Sequence, residues 1–180
     1  SVDITTVDAA IYSGQGKIIF SGTGEKKIKT NRKVENWENI IVNAVHAQLE
    51  DVDISGTGKV LLDAVNGVKI RAIYAQSKSI KLHDNANVEI NGFENGMRSS
   101  KGIDIKNSNV KIFSTLGNAY ALGTSGNTIL IQDSAVTVDV YSDFVGSYND
   151  SLELQILRNS TVYVQSTNPA MCDSIGKNVR

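Results

Sequence analysis

Residues 103 to 112 read Ile103-Asp104-Ile105-Lys106-Asn107-Ser108-Asn109-Val110-Lys111-Ile112. The stretch begins and ends with an apolar-polar-apolar triplet, and this alternation is typical of short strands that bury one face. The residues between the triplets include two asparagines and a serine, whose side chains hydrogen-bond nearby backbone in tight turns. The stretch therefore predicts two short strands joined by a tight corner.

The same phrase recurs along the chain, and its recurrence decides the fold. Further copies begin at Ile80, Ile129 and Leu154, and a weaker copy joins Val60-Leu61-Leu62 to Val68-Lys69-Ile70. The first apolar residues of successive copies lie 20, 23, 26 and 25 residues apart, and such steps suit one solenoid coil each. A third strand per coil is predicted shortly before each new copy, at Ala72-Ile73-Tyr74, Gly96-Met97, Ala119-Tyr120-Ala121 and Phe144-Val145.

The predicted fold is therefore all-β: a parallel β-helix, or β-solenoid, with three short strands per coil and a triangular cross-section. The 180 residues, 41% of them hydrophobic, suit one domain over residues 1–180. Clear repeats span about residues 60–165. Residues 1–59 are expected to form earlier coils or an N-terminal cap, and residues 166–180 a C-terminal end segment.

Weaker signals of the same kind precede the clear repeats. Lys17-Ile18-Ile19-Phe20 and Lys26-Lys27-Ile28 flank a Gly-rich turn as an earlier coil does, and Leu49-Glu50-Asp51-Val52-Asp53-Ile54 resembles a second triplet. The segment from Val34 to Leu49 is compatible with a helix or with a strand, and we favour the strand. Trp37, within this segment, is expected to cap the core or to bind ligand.

Outward-facing charges support the alignment of the coils, because residues one coil apart become lateral neighbours. The alignment places Lys81 beside Asp104 and Glu89 beside Lys111, which are opposite charges in both cases. Opposite charges on adjacent strands favour the register, and like charges would oppose it.

A row of amides is predicted at the corner between the triplets. Counting back three residues from the second triplets gives Asn85, Asn107, Asp133 and Asn159. An amide both donates and accepts, so we expect a structural ladder whose side chains bond to one another and to the turn backbone. A metal-binding or catalytic row is the less favoured interpretation.

Charge and composition exclude several classes of protein. Eighteen basic and nineteen acidic residues give a net charge of −1, so no global field recruits nucleic acid. No apolar run approaches the roughly 18 residues needed to span a bilayer, so membrane insertion is not expected. The one cysteine, Cys172, has no partner for an internal disulfide and is expected to be inert.

The phrase Gly96-Met97-Arg98-Ser99-Ser100-Lys101-Gly102-Ile103-Asp104-Ile105, continued by Asn107-Ser108-Asn109-Val110-Lys111-Ile112, resembles the coils of bacterial pectate-lyase-like β-helix proteins. The resemblance covers about residues 60–165 and is closest to their secreted, non-catalytic carbohydrate-binding domains, with adhesin solenoids more distant. It implies a right-handed helix, a secreted or cell-surface location in a bacterium, and a polysaccharide or cell-surface glycan as ligand. In some such proteins calcium is bound; no other cofactor is implied.

Aromatic side chains are the expected means of binding sugar, because their faces stack on the apolar faces of pyranose rings. The candidates cluster where the repeats lengthen, and one more points outward from a strand. They are Tyr120, Tyr141, Phe144 and Tyr148, with Tyr163 on the strand. Each has packing in the core as its alternative role.

Four acidic residues, Asp139, Asp143, Asp150 and Glu153, fall in and around one of these longer loops. They are interpreted as a solvated acidic loop or a calcium site, and less readily as catalytic carboxylates. No arginine lies in a lyase motif, and His46 and His83 are isolated in the sequence, so no enzymatic activity is expected.

Two functions therefore remain open at this stage. One is a non-catalytic, extracellular carbohydrate-binding module. The other is a structural or adhesive surface solenoid that contacts a protein partner or assembles with itself. A polysaccharide lyase or hydrolase is a third, less favoured reading, since one fold hosts many functions.

Overall fold

The computed structural model of this protein describes residues 1–6, 10–31, 42–64, 70–114, 120–126, 128–141, 143–147 and 152–166. Within these ranges the chain forms nineteen strands and no helix. None of these residues therefore belongs to a helix long and apolar enough to cross a membrane.

The strands form three parallel sheets. Sheet 1 contains β1 (Val2–Thr6), β4 (Lys26–Thr30), β7 (Lys59–Ala64), β10 (Asn87–Asn91), β13 (Asn109–Ser114), β16 (Ala135–Val140) and β19 (Thr161–Ser166). Sheet 2 contains β2 (Ile11–Ser13), β5 (Val42–Ala47), β8 (Ile70–Ala75), β11 (Asn95–Ser99), β14 (Tyr120–Thr124) and β17 (Asp143–Ser147). Sheet 3 contains β3 (Ile18–Phe20), β6 (Val52–Ser55), β9 (Ser79–His83), β12 (Gly102–Lys106), β15 (Thr128–Gln132) and β18 (Glu153–Leu157).

Each coil passes through sheet 2, then sheet 3, then sheet 1, and every strand pairs with the equivalent strand of the next coil. The period-two alternation of the triplets turns every second side chain inward, where the apolar residues of the three sheets form one continuous core. Ile80, Ile103 and Ile129, for example, stack on one another and are fully buried. The predicted parallel β-solenoid with three strands per coil is confirmed.

The predicted register is also confirmed. Lys81 pairs with Asp104, and Glu89 pairs with Lys111. The closest ionic partners of Lys81 and Glu89 belong to the preceding coil, however. Lys81 Nζ is 2.7 Å from Asp51, and Glu89 is 2.9 Å from Lys59 Nζ.

The assignment of the weaker copy was wrong. Val60 pairs with Val88, so the triplet Val60-Leu61-Leu62 is the second of its coil and not the first. The first triplet is Val52-Asp53-Ile54, which pairs with Ile80-Lys81-Leu82 in sheet 3. The predicted second triplet at residues 68–70 is therefore misplaced: Ile70 begins β8 in sheet 2, and residues 68 and 69 lie outside the described residues.

The N-terminal residues follow the same architecture. Strands β3 and β4 pair with β6 and β7, as expected of an earlier coil. The strand favoured over a helix is confirmed for Val42–Ala47, and Trp37 lies outside the described residues. All four predicted third strands are confirmed as β8, β11, β14 and β17, although Ala119 falls outside the described residues.

Candidate functional site on the outer face of sheet 2

The parallel register of sheet 2 brings four large polar and aromatic side chains into one outward row. Tyr12 pairs with His46, His46 pairs with Tyr74, and Tyr74 pairs with Arg98. The neighbours of His46, Tyr74 and Arg98 along their strands are buried, and those of Tyr12 are partly buried. The alternation of the strands therefore commits these four side chains to the surface.

The rings of this row contact one another across the coils. The ring centroids of Tyr12 and His46 are 5.2 Å apart with the planes at 67°, which is an edge-on contact. His46 and Tyr74 are stacked at 5.1 Å and 25°. The guanidinium carbons of Arg71 and Arg98 lie 4.6 Å and 5.7 Å from the Tyr74 centroid, within the range of cation–π attraction.

The row continues past Arg98, where the sequence has two glycines. Gly123 pairs with Arg98, and Gly146 pairs with Gly123, so neither position supplies a side chain. The ring of Tyr120 occupies the vacant space: a Cβ on Gly146 would collide with it, and a Cβ on Gly123 would lie 3.6 Å from its Cδ2. We call Tyr12, His46, Tyr74, Arg98 and Tyr120 the sheet 2 row.

Amide side chains flank the row on both sides. On one side, the Tyr12 hydroxyl donates to Gln48 Oε1, and His46 Nε2 lies 2.9 Å from Gln76 Oε1. On the other side, Asn43 and Asn95 both pair with Arg71. The Oδ1 atom of Asn43 is buried and accepts no hydrogen bond from any described residue. The row thus combines planar groups with flanking amides, of which Gln76 is exposed and Gln48, Asn43 and Asn95 are partly buried.

Of the predicted aromatic residues, Tyr120 is brought into this row, whereas Tyr141, Phe144 and Tyr163 are not. Phe144 is only 3% exposed and packs in the core, which is the alternative role that the sequence left open for it. Tyr163, 57% exposed, faces outward from β19 in sheet 1 as expected, and Tyr141, 47% exposed, directly follows β16 of the same sheet. Tyr148 lies outside the described residues.

The predicted acidic cluster is divided among the three sheets. Asp139 lies on β16 in sheet 1, Asp143 begins β17 in sheet 2, and Glu153 begins β18 in sheet 3. Asp150 lies outside the described residues. The described part of the chain brings no three His, Cys, Asp or Glu side chains together as a metal site.

Tyr12, His46, Tyr74 and Arg98 were not among the sequence candidates. His46 was considered isolated because no partner stands at motif spacing along the chain, yet the coils place a tyrosine on each side of it. The signal that could have identified the row is a large planar side chain directly after an inward apolar residue in β2, β5, β8 and β11.

The outer face of sheet 3 carries a separate set of charges. Asp51 accepts hydrogen bonds from Lys81 Nζ at 2.7 Å and from the Ser79 amide at 3.0 Å. Burial by itself would raise the pKa of Asp51, but these two donors outweigh it and lower that pKa. These groups hold neighbouring coils together.

His83 joins two carboxylates on the same face. Its ring nitrogens lie 2.8 Å from Asp84 and 2.9 Å from Asp53. The hydrogen bond to Asp84, together with the one to Asp53, raises the pKa of His83 above its ordinary value, although burial acts in the opposite direction. Lys17 lies 3.6 Å from Asp53, so this carboxylate contacts both Lys17 and His83.

Comparison with protein-family models, with curated proteins and with solved structures finds no match to this chain.

Proposed function

We propose that this protein is a non-catalytic carbohydrate-binding solenoid, secreted or displayed at a bacterial surface, whose polysaccharide ligand lies along the outer face of sheet 2. The observation that carries the proposal is the sheet 2 row, with its rings in contact from coil to coil. Adjacent parallel strands are about 4.8 Å apart, so the row is a long, narrow strip suited to a polymer rather than to a small molecule.

The row offers the two kinds of contact that bind sugars. Tyr12 is 58% exposed, and the partly exposed Tyr120 ring lies against Gly146, so both rings present surface to the C–H faces of a pyranose. Tyr74 is different, because it is contacted by the His46 ring and by the Arg71 guanidinium. The Tyr74 ring holds the row rigid and presents the edge of the ring to the ligand.

Hydrogen bonds to sugar hydroxyls would come from the flanking amides. Gln48 and Gln76 line one side of the row, and Asn43 and Asn95 line the other. This pattern of planar groups between rows of amides supports a glycan ligand over an apolar one.

A glycan screen of the purified chain tests this proposal. Pectins, cellulose, xylans and host glycans are presented with and without calcium, and reducing ends are assayed to detect turnover. We expect retention of at least one polysaccharide without release of reducing ends. A variant carrying Tyr12→Ala and Tyr120→Ala should lose retention at least tenfold, whereas the matched control Tyr163→Ala on sheet 1 should keep it. Equal retention of the polysaccharide by both variants would show that the binding site does not lie on sheet 2.

Assembly through strand edges is the second candidate function. The first strands of the three sheets, β1, β2 and β3, pair on one side only within the described residues. Unpaired edges of this kind are templates for pairing with another chain. Sedimentation at increasing protein concentration tests this function: if no glycan is retained and the mass grows with concentration, the solenoid is a scaffold and not a sugar-binding module.

A further inference from the structure

The corner between sheet 3 and sheet 1 has an Asn or Asp at the equivalent position of four successive coils. These residues are Asn85, Asn107, Asp133 and Asn159, which lie in one row as the sequence predicted. The residue that follows is Ala86 in the first coil and a serine in the other three. Asn85, Asn107 and Asp133 have left-handed φ values of 65°, 44° and 50°, and Asn and Asp tolerate this conformation better than most residues. In the fourth coil the left-handed residue is instead Arg158, at 56°.

The backbone of this corner is satisfied without the amide side chains. The Asn85 amide N–H donates to the Asn107 carbonyl at 2.8 Å, and the Asn107 N–H donates to the Gln132 carbonyl at 3.0 Å. In the second and third of these coils, the serine after the Asn or Asp supplies further contacts. The Ser108 N–H donates to Ser134 Oγ at 3.1 Å, and Ser134 Oγ donates to the Gln132 carbonyl at 2.7 Å.

The buried ladder is therefore made of serines, one residue beyond the predicted ladder of amides. Ser108 and Ser134 are buried, whereas Asn85, Asn107 and Asn159 are exposed. Among the described residues, no hydrogen bond joins one of these amide side chains to the next. The expected amide-to-amide bonding is absent because the left-handed turn directs the first residue outward and the second inward.

The outward amides line a shallow, open groove of ≈ 360 Å³ that runs along the solenoid axis. Asn109, at the start of β13, adds a fourth exposed amide to this groove, and Thr161 adds a hydroxyl. Asp133 is the charged residue in the lining, and Arg158 lies 3.5 Å from its carboxylate. The groove is thus polar, nearly neutral, and rich in groups that both donate and accept.

We infer that this corner groove is a second glycan-binding site, for an uncharged and extended β-1,4-linked polysaccharide. The amides repeat at the coil spacing of about 4.8 Å, which is close to the rise of one sugar in such a chain. An extended peptide fits less well, because each of its residues rises only about 3.3 Å. The near-neutral lining favours hydroxyl groups over carboxylates or phosphates.

The corner groove is separate from the sheet 2 row, so each site can be tested without the other. The corner joins sheets 3 and 1, which places it opposite sheet 2 in the triangular cross-section. A ligand held by the corner would leave the rings of Tyr12 and Tyr120 uncovered.

The test is an NMR titration of the uniformly ¹⁵N-labelled full chain with cellohexaose, mannohexaose and xylohexaose. The signals followed are the side-chain amides of Asn85, Asn107, Asn109 and Asn159, and the ring protons of Tyr12 and Tyr120. Maltohexaose, whose α-linked chain coils, is the control oligosaccharide. We expect at least one β-linked hexasaccharide to shift the corner amides in a saturable way and maltohexaose to leave them unmoved.

Variants separate binding from folding in this experiment. Glycine removes an amide without straining a left-handed turn, so Asn85→Gly with Asn107→Gly should weaken the bound hexasaccharide roughly tenfold and leave the backbone spectrum native. Asn91→Ala on sheet 1 is the matched control. Shifts confined to the Tyr12 and Tyr120 rings would overturn the corner site and support the sheet 2 site. Shifts confined to the corner amides would support the corner site and overturn the sheet 2 site. No corner shift with any of the three β-linked sugars overturns the inference.

Discussion

The ring of Tyr120 lies over Gly146 of the following coil, in the space that a β-carbon at residue 146 would occupy. The relationship arises because Gly146 and Gly123 stand in the same outward row of sheet 2 as Tyr12, His46 and Tyr74, which supply side chains in earlier coils. A glycine there lets the tyrosine of the preceding coil complete the row.

Replacing Gly146 by alanine should displace the Tyr120 ring. The added methyl group overlaps the ring, and forcing extra volume into a filled site costs about 1–3 kcal/mol. We expect a lower urea midpoint with an unchanged slope, measured by tyrosine fluorescence or circular dichroism. Removing the ring as well, in the Gly146→Ala and Tyr120→Ala double variant, should restore part of the loss.

Gly123→Ala is the matched control for this prediction. A Cβ at residue 123 would lie 3.6 Å from Tyr120 Cδ2, which is ordinary van der Waals contact. Its urea midpoint should stay close to that of the unmodified chain. Equal destabilisation by the two alanines would show that the Tyr120 ring does not lie where we place it.

Ser134→Ala should destabilise the solenoid more than Asn107→Gly does. The serine hydroxyl is buried, accepts from the Ser108 amide at 3.1 Å and donates to the Gln132 carbonyl at 2.7 Å. Leaving these partners unsatisfied costs about 1–3 kcal/mol. The exposed amide of Asn107 bonds to no described side chain, so its loss should change the free energy of unfolding by less than about 0.5 kcal/mol. If urea unfolding shows instead that Asn107→Gly is the more destabilising change, the asparagines and not the serines form the stabilising row.

His83 should make stability depend on pH in a defined direction. Its pKa is raised above the ordinary value of 6.5 by the hydrogen bonds to Asp84 and Asp53. Its stabilising effect is therefore complete below pH 6.5 and is lost as pH rises through the folded-state pKa. The difference in unfolding free energy between the unmodified chain and His83→Gln should be larger at pH 5 than at pH 8.5.

The titration midpoint of His83 can be followed directly by NMR. Asp84→Asn removes the carboxylate that contributes most to the shift, so it should lower the His83 pKa toward its ordinary value. A midpoint that does not respond to Asp84→Asn or to Asp53→Asn would mean that the two carboxylates do not contact the ring in solution.

Asp51 should make stability depend on pH in the opposite direction to His83. Its pKa is lowered, so the stability that it contributes is present at neutral pH and is lost as pH falls through the folded-state pKa. Asp51→Asn should cost about 1–3 kcal/mol at pH 7, because a charged partner is removed from Lys81 Nζ and from the Ser79 amide. The gap between the two proteins should close in acid. A gap that persists at pH 2 would indicate loss of packing rather than of charge.

The fold was predictable because the alternation of apolar and polar residues in the triplets indicates directly which side chains face inward. The pairing of Lys81 with Asp104 followed from counting residues between equivalent apolar positions. The assignment failed at Val60, because a lone triplet does not say which sheet it joins. The corner before it reads Ser55-Gly56-Thr57-Gly58, without the asparagine that marks the later coils.

The candidate site was less predictable, because it depends on loops of unequal length. Tyr12, His46, Tyr74 and Arg98 are separated by 34, 28 and 24 residues, so no constant period places them in one row. Tyr120 was identified from its position near a long loop, but its contact with Gly146 requires the neighbouring coil. Only the three-dimensional register of sheet 2 joins these residues.

The most direct measurement is the affinity of the chain for the polysaccharide retained in the glycan screen, determined by isothermal titration calorimetry for three proteins. These are the unmodified chain, the Tyr12→Ala and Tyr120→Ala double variant, and the Tyr163→Ala control. We predict that the double variant binds at least tenfold more weakly while the control binds as the unmodified chain does. Unchanged affinity in a correctly folded double variant would contradict the assignment of glycan binding to the sheet 2 row.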